Sequence, residues 1–335
     1  MKRNFNEDTI VAVSTPIGEG GIGIVRLSGR DAIKIVDRVF ASPEKKRPSK
    51  FKTHTIRYGY VVDKSRSGNK GVRKKIIDEV LLTVMRAPKT YTKEDIVEIN
   101  CHGGMAPLKK VLEIIVKNGA RIAEPGEFTK RAFINGRLDL AQAEAVLDII
   151  RARTDAGLRV SVNQLEGELS REINSARAGI IDVCADVEAA IDFPEEDIES
   201  NTRRDWIKKI KMAGRRLKTL ADTYHNGTIL KNGITAVICG RTNVGKSSLM
   251  NLLLKKDRVI VTHVPGTTRD AIEEMANIKG IPVRLVDTAG LRKIHGIVEK
   301  EGISKSRFYL SQADLILCIL DGSEKLKRDE GRIQA

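Results

Sequence analysis

The stretch Gly240-Arg241-Thr242-Asn243-Val244-Gly245-Lys246-Ser247 decides the fold of the C-terminal part of this chain. It satisfies GxxxxGK[ST], and it lies between an apolar run at residues 234–239 and a helical pattern at residues 247–254. In such a loop the backbone N–H groups surround phosphate oxygens, Lys246 lies against the outer phosphates, and the Ser247 hydroxyl can bind Mg²⁺. The stretch therefore predicts a nucleotide site at a strand-to-helix turn.

Two further motifs follow in the order that a phosphate site requires. Asp287-Thr288-Ala289-Gly290 comes after the apolar run 283–286 and places a carboxylate near the metal and a glycine N–H near a γ-phosphate. Between it and the loop lies Gly266-Thr267-Thr268-Arg269-Asp270, whose threonines can reach the metal and the γ-phosphate. A last apolar run at residues 315–320 completes strands that alternate with helices, so we predict an α/β unit with a parallel sheet over residues 227–335.

The rest of the chain predicts a multidomain protein with α+β, all-α and α/β parts. Residues 1–119 form the α+β domain, with β-rich runs at 9–13, 22–27, 54–62, 76–85 and 95–100 and helical patterns at 31–40 and 108–118. Residues 120–226 are rich in helix formers and poor in proline, which predicts a helical domain. The basic segments 44–50 and 64–75 are predicted to be loops.

Charge and composition limit the class of protein. The 335 residues carry a formal net charge of +15, which suits a nucleic acid partner but also simple solubility. No segment approaches the roughly 20 apolar residues of a membrane span, and no signal peptide is evident, so we predict a cytoplasmic protein without a membrane partner. The cysteines at 101, 184, 239 and 318 lie far apart without a CxxC pair, which argues against a zinc site or a disulfide framework and favours reduced packing residues.

The helical region contains an abrupt inversion of charge. Residues 184–200 carry seven acids and no base, whereas residues 201–220 carry eight bases and one acid. This pattern predicts an acidic turn followed by a basic helix around Trp206. Neutralisation within the chain and contact with RNA are equal alternatives for the basic helix.

The chain resembles the MnmE (TrmE) family of tRNA modification GTPases along essentially its whole length. Besides the nucleotide motifs, the resemblance rests on Asp8-Thr9-Ile10-Val11-Ala12, Gly20-Gly21-Ile22-Gly23-Ile24-Val25-Arg26-Leu27-Ser28-Gly29, Cys101-His102-Gly103-Gly104, Pro125-Gly126-Glu127-Phe128-Thr129-Lys130-Arg131-Ala132-Phe133, Leu138-Asp139-Leu140-Ala141-Gln142-Ala143-Glu144-Ala145 and Ala189-Ala190-Ile191-Asp192-Phe193-Pro194. It implies an N-terminal domain over residues 1–119 that dimerises and binds formyl-tetrahydrofolate. It further implies the first part of a helical domain over residues 120–226, and an inserted, incomplete P-loop GTPase domain over residues 227–335.

The resemblance also implies a folate site. Arg26, Glu98 and Arg137 match the positions at which the family contacts the folate. The two arginines suit the glutamate carboxylates of the folate, and Glu98 suits the N–H edge of its pterin. By residue type alone, the three would be interpreted as members of ordinary surface ion pairs.

In the nucleotide domain the resemblance implies two metals. Ser247 and Thr268 match Mg²⁺ ligands, while the positions around an activating K⁺ are Asn243, Thr262, Val264 and Thr267. Glu299 matches the residue that orients the attacking water and joins Lys246 as the predicted catalytic pair. The residues implied to bind the nucleotide are Asn243, Val244, Gly245, Lys246, Ser247, Ser248, Thr262, His263, Val264, Pro265, Gly266, Thr267, Thr268, Asp287, Thr288, Ala289 and Gly290.

The activity implied by the resemblance is that of a K⁺-activated GTP hydrolase in tRNA processing. With the flavoprotein MnmG, in a heterotetramer, such a protein adds a carboxymethylaminomethyl-type group to the wobble uridine of certain tRNAs, using a folate one-carbon unit. Two other classes stay open: a folate-dependent one-carbon transferase without a nucleotide cycle, and a non-catalytic, dimerising RNA-binding remnant. No guanine-reading NKxD element occurs before Ala335, so we expect a C-terminally truncated copy that hydrolyses GTP poorly on its own.

Overall fold

The computed structural model describes residues 8–66, 72–193, 200–241, 244–257, 273–287 and 308–323. It divides into two compact units, Met1–Ala143 and Glu144–Ala335, and each contains its own sheet. The division falls within helix α4 (Leu140–Arg151), and the domain limits 1–119, 120–226 and 227–335 stay predictions. Within the described ranges, no helix combines the length and the apolar character that a bilayer span needs.

The first unit is built on a seven-stranded sheet in the order β3-β4-β5-β6-β2-β1-β7. Its strands are β1 (Ile10–Val13), β2 (Gly23–Ser28), β3 (Phe40–Ala41), β4 (Thr55–Arg66), β5 (Val72–Met85), β6 (Ile96–Cys101) and β7 (Arg121–Ile122). Neighbours are antiparallel except β1 and β7, which are parallel. The five predicted β-rich runs are confirmed as strands, whereas β3 and β7 are too short for a sequence pattern to predict.

The predicted loop over residues 64–75 is wrong at both ends. β4 continues through Arg66 and β5 begins at Val72, with Lys64 paired to Lys74 and Ser65 to Arg73. Residues 67–71 lie outside the described ranges. The charge run is misleading because the two strands of a hairpin are joined by backbone hydrogen bonds, which do not depend on the side-chain type. The other predicted loop, 44–50, ends in a short 3₁₀ helix, Pro48–Lys50.

Helices α1 (Ala32–Val39) and α2 (Met105–Lys117) cover one face of this sheet and confirm the two helical patterns. Their buried aliphatic residues pack against alternate strand residues such as Val25 and Leu27. Because side chains alternate along a strand, Arg26 lies on the opposite face, as does Glu98 on the neighbouring strand β6. A third helix, α3 (Glu127–Ile134), follows β7.

The second unit begins with a run of helices: α4, α5 (Asp155–Leu165), α6 (Glu168–Asp192) and α7 (Ser200–Asn232). α6 extends to Asp192, so residues 184–192 of the predicted acidic turn are helical, while residues 194–199, which hold four of its seven acids, lie outside the described ranges. The basic helix around Trp206 is confirmed. The sequence pattern predicts that the helical region ends at residue 226, but α7 continues to Asn232 because its end is bound to the preceding helices. There, Lys231 Nζ donates to Asp148 Oδ2 at 2.6 Å.

The second unit also contains a four-stranded sheet in the order β11-β8-β10-β9. Its elements are β8 (Ile234–Gly240), α8 (Lys246–Asp257), β9 (Glu273–Ile278), β10 (Ile281–Asp287) and β11 (Leu315–Ile319). β8 pairs in parallel with both β10 and β11, as predicted, while β9 adds an antiparallel edge. The sheet and α8 share a core of Ala236, Ile238, Met250, Ala276, Val283 and Leu285.

Candidate functional site

The phosphate loop joins strand β8 to helix α8. Gly240 ends the strand with a φ of +142°, in a region that residues with a side chain avoid. A Cβ at this position would lie 2.4 Å from the carbonyl oxygen of Ile319 on β11. The backbone angle and the close approach both require glycine, at the position where GxxxxGK[ST] has its first glycine.

Lys246 is the first residue of α8, and only 5% of it is exposed. Its Nζ donates to the carbonyl oxygen of Gly240 at 3.0 Å and to that of Arg241. A buried ammonium group is costly unless it is hydrogen-bonded, and the loop supplies the acceptors. These bonds hold a positive charge beside the free N–H groups of the helix start, which themselves favour an anion. The loop is thus electrostatically suited to phosphate.

A hydroxyl and a carboxylate meet beside the loop. Ser247 Oγ donates to Asp287 Oδ2 at 3.4 Å. Asp287 ends β10, which runs parallel to β8, so the ends of both strands lie at the same edge of the sheet. Hydroxyl and carboxylate oxygens are ligands that Mg²⁺ accepts. Among the described residues, no three His, Cys, Asp or Glu side chains could hold a metal together.

The other predicted nucleotide residues divide between described and undescribed parts of the chain. Val244, Gly245 and Ser248 lie in the loop and in the first turn of α8. The remainder lie outside the described residues: Asn243, Thr262, His263, Val264, Pro265, Gly266, Thr267, Thr268, Thr288, Ala289, Gly290 and Glu299. The K⁺ positions and the water-orienting glutamate therefore stay predictions.

Two of the predicted folate residues are brought together on the face of the first sheet opposite α1 and α2. Arg26 on β2 and Glu98 on β6 are direct cross-strand partners, and Arg26 Nε donates to Glu98 Oε1 at 2.7 Å. The guanidinium carbon of Arg26 lies 5.9 Å from the ring centroid of Phe128 on α3. This arrangement combines charge with an aromatic surface, which suits a ligand that has both an acidic tail and a planar ring.

The third predicted residue, Arg137, lies beyond the other end of α3. Its guanidinium carbon is 4.8 Å from the ring centroid of Tyr91, and the Tyr91 hydroxyl is 2.8 Å from Thr129 Oγ1. Phe128 and Thr129 are neighbours in α3, so this helix reaches both arginines: Phe128 lies beside Arg26, and Thr129 lies beside the Tyr91 that contacts Arg137. Phe128 could have been found from its place in the motif at residues 125–133, but no sequence signal connects Tyr91 with Arg137.

A buried ion network, absent from the sequence predictions, anchors α3. Arg131 Nη2 donates to Asp8 Oδ1 at 2.5 Å and to Glu127 Oε1 at 3.2 Å, and its Nη1 donates to Glu94 Oε1 at 3.2 Å. Arg121 Nη2 donates to the same Glu127 oxygen at 2.6 Å. Burial by itself raises the pKa of Glu127, but the hydrogen bond from Arg121 and the other donors outweigh it and lower the pKa to about 2. The spacing of Glu127 and Arg131, four residues apart on a helix, is the signal that could have suggested the pair.

The fold and the loop define a P-loop nucleotide-binding protein in which a mostly antiparallel sheet domain and a helical region precede the nucleotide sheet. A family model described as "GTP-binding protein TrmE N-terminus" matches residues 9–137, and one described as "MnmE helical domain" matches residues 140–330. The chain belongs to the MnmE family of tRNA modification GTPases. The predicted family and the predicted fold class are thereby confirmed.

Curated relatives agree with this assignment. The tRNA modification GTPase MnmE of Carboxydothermus hydrogenoformans is 54% identical over 327 residues, which cover 98% of this chain and 69% of that protein. The protein of the same name from Bacillus licheniformis is 51% identical over 324 residues, covering 96% and 69%. That from Bacillus subtilis is 48% identical over 327 residues, covering 97% and 70%.

Proposed function

We propose that this chain binds GTP at the loop 240–247 and hydrolyses it in the course of tRNA modification. The observation that carries the proposal is the buried Lys246 ammonium group, held by the carbonyls of Gly240 and Arg241 at the start of α8. The names of the relatives support GTP as the nucleotide and tRNA as the modified molecule.

The described residues bind and neutralise phosphate in this proposal. The N–H groups at the start of α8 donate to phosphate oxygens, and Lys246 balances the charge of the outer phosphates. Ser247, near Asp287 and together with Thr268, would hold Mg²⁺, which neutralises charge that develops on the phosphates. Family membership supports Glu299 as the residue that orients the attacking water.

A K⁺ site is a further part of the proposal. Asn243, Thr262 and Thr267 would contribute side-chain oxygens and Val264 a backbone carbonyl, all hard donors suited to an alkali ion. A K⁺ held by these residues would supply positive charge of the kind that other GTPases take from an arginine finger. GTP hydrolysis in KCl is therefore expected to exceed that in NaCl at equal ionic strength.

Binding of a fluorescent GTP analogue to the full chain, in potassium and magnesium buffer, tests the nucleotide proposal. Lys246→Ala is expected to weaken binding at least about tenfold, since one charge-assisted hydrogen bond contributes roughly 1.5–3 kcal/mol. Lys255→Ala is the matched control, because Lys255 is an exposed lysine on the same helix. No binding by the unmodified chain, or equal loss in both variants, contradicts the site, and equal affinity for an ATP analogue contradicts the preference for GTP.

We propose that the first unit binds formyl-tetrahydrofolate at Arg26, Glu98 and Arg137. The support is the ion pair beside Phe128 and the stacking of Arg137 over Tyr91. Calorimetric titration of the full chain with this folate tests it. Folate binding without any nucleotide binding would favour the second candidate, a folate-dependent one-carbon transferase.

We propose that the protein acts as a homodimer through its N-terminal domain and works in the cytoplasm with the flavoprotein MnmG on the wobble uridine of tRNA. An exposed apolar surface on the first sheet supports the dimer. Ile56, Tyr58 and Leu81 are 61%, 44% and 43% exposed, and Tyr58 and Leu81 are facing partners on β4 and β5.

Loss of tRNA modification in cells on Lys246→Ala would exclude a non-catalytic remnant.

A further inference from the structure

Helix α7 carries a row of five exposed cations along one side. The members of this basic row are Arg204, Lys208, Lys211, Arg215 and Lys218. Since an α-helix turns about 100° and rises about 1.5 Å per residue, these positions fall within about 80° around the axis and extend over about 21 Å. The basic row is therefore a nearly straight line of positive charge.

The opposite side of α7 is already neutralised by helix α6. Lys209 Nζ and Trp206 Nε1 both donate to Asp186 Oδ2, at 3.3 Å and 3.2 Å. Arg216 donates through Nε and Nη2 to the two carboxylate oxygens of Glu172, at 2.5 Å and 3.1 Å. At about 100° per residue, these two cations lie about 130° around the helix from the middle of the basic row. Neutralisation within the chain thus accounts for Lys209 and Arg216.

The basic row itself has no such partners. In the described parts of the chain, no carboxylate forms an ion pair with any of its members. Its members are three or four residues apart, a spacing at which like charges on a helix repel each other. The basic row therefore opposes helix formation, and the stability of the fold does not explain its presence.

We propose that the basic row binds the phosphate backbone of RNA, and that this RNA is the tRNA of the proposed function, on which the inference rests. Exposed lysines and arginines in a line suit successive phosphates, because each contact releases counterions and needs no particular base. The 21 Å length, about fourteen residues of helix, allows several phosphates of one strand to be contacted at once. On one side of α7, Lys209 and Arg216 form ion pairs with α6, and on the other side the basic row binds the RNA.

Binding of fluorescein-labelled tRNA to the full chain, followed by anisotropy over a series of KCl concentrations, tests the inference. The row variant is Lys208→Gln/Lys211→Gln/Arg215→Gln. Its matched control is Lys52→Gln/Lys109→Gln/Lys117→Gln, which removes the same charge from exposed lysines of the first unit. We expect the row variant to bind at least tenfold more weakly at low salt and to reduce the slope of log affinity against log salt by about 2–3. The control is expected to change affinity by less than about threefold.

Equal tRNA affinity in the row variant and the control would overturn the inference, as would tRNA binding that is undetectable in the unmodified chain. A charge-conserving variant, Lys208→Arg/Lys211→Arg/Arg215→Lys, separates charge from folding: it should bind like the unmodified chain, and loss of binding there counts against the basic row. If the row variant loses affinity for phosphatidylserine vesicles and not for tRNA, the row contacts a membrane surface instead. Binding of the GTP analogue, measured on the same samples, reports on the nucleotide proposal separately.

Discussion

Arg26 and Glu98 form an ion pair across strands β2 and β6, with 2.7 Å between Nε and Oε1. The two residues are facing partners in the antiparallel register, so the sheet itself sets their separation. Their side chains are 31% and 21% exposed, and among the described residues the Nη groups of Arg26 have no hydrogen-bond partner. The pair therefore holds an arginine in place while leaving the four N–H donors of its two Nη groups available to a ligand.

The first prediction concerns this arginine. Arg26→Ala is expected to weaken formyl-tetrahydrofolate binding about ten- to hundredfold, since a hydrogen bond to a charged group contributes roughly 1.5–3 kcal/mol. Isothermal titration calorimetry measures the effect. Arg30→Ala, at an exposed arginine four residues later, serves as the control and should leave the affinity unchanged. Unaltered binding in Arg26→Ala would remove Arg26 from the site.

The second prediction concerns the first glycine of the phosphate loop. Gly240→Ala combines an unfavourable backbone angle with a Cβ only 2.4 Å from the Ile319 carbonyl oxygen. We expect the free energy of unfolding of the second unit to fall by about 2–3 kcal/mol. Urea denaturation followed through the single tryptophan, Trp206, measures it. Gly322→Ala is the control, since a Cβ there meets no atom within 4 Å.

The third prediction concerns the acid sensitivity of the first unit. The pKa of Glu127 in the folded protein is about 2, below the ordinary 4.5, because donors such as Arg121 outweigh the effect of burial. Its contribution, about 3 kcal/mol, is fully present above pH 4.5 and is lost as the pH falls towards 2. Glu127→Gln should therefore destabilise the unit at neutral pH by about 3 kcal/mol or more, because Arg131 loses a partner, and should reduce the dependence on pH.

Urea titrations by circular dichroism at neutral and acid pH measure this dependence. The control is Glu113→Gln, whose exposed ion pair with Lys110 is expected to contribute less than about 1 kcal/mol. A Glu127→Gln protein with the same stability and the same acid dependence as the unmodified chain would show that the network contributes nothing.

The fourth prediction concerns the four free cysteines. Cys184 and Cys318 are exposed, whereas Cys101 and Cys239 are buried. Burial and then the charge of Asp78 raise the pKa of Cys101 to about 11, and burial followed by the neighbouring Cys318 raises that of Cys239. Because the thiolate is the nucleophile, the two exposed thiols should react with Ellman's reagent at least about tenfold faster than the buried ones. Cys318→Ser should remove one fast equivalent, and four equally fast thiols in the unmodified chain would refute the prediction.

The fifth prediction concerns the apolar surface of the first sheet. Leu81→Glu places a charge next to Tyr58 and is expected to weaken the proposed dimer at least about tenfold, since a buried unpaired charge costs several kcal/mol. Light scattering over a dilution series measures the dissociation. Val116→Glu, on helix α2 and thus on the other side of the sheet, is the control. Equal effects of the two variants would place the dimer contact elsewhere.

Strong local patterns predicted most of the fold. The alternation in residues 22–27 became β2, and the helical spacing in residues 108–118 became α2, because one face of each element is buried. Strand β9 has the sequence EEMANI, which lacks a clear alternation, and its pairing with β10 decides its structure. Helix α6 includes residues 184–192 of the segment that its acidic composition assigns to a turn. Alanine and glutamate favour a helix there, and α6 packs against α7.

The candidate sites were predictable to different degrees. Lys246 and Ser247 follow from one short motif, and the structure places both at the start of a helix, as the motif predicts, with Ser247 beside Asp287. The contact between two of the cysteines, in contrast, could not be predicted from the sequence. Cys239 and Cys318 are far apart in sequence, yet the parallel register of β8 and β11 makes them direct neighbours. No spacing rule could show this, because the pairing joins strands separated by a long segment of chain.

The sequence by itself determined the phosphate loop and the family, because the chemistry of a loop of eight consecutive residues depends on residue types and their order. Only the tertiary structure decided which charged groups meet. Arg26 and Glu98 are 72 residues apart, and Arg131 and Asp8 are 123 apart, so strand register and burial select these pairs. The same holds for α7, where packing against α6 neutralises Lys209 and leaves the basic row exposed. The chemistry of a loop depends on residues that are adjacent in sequence, whereas the partners of a charged side chain depend on contacts that form only when distant segments pack together.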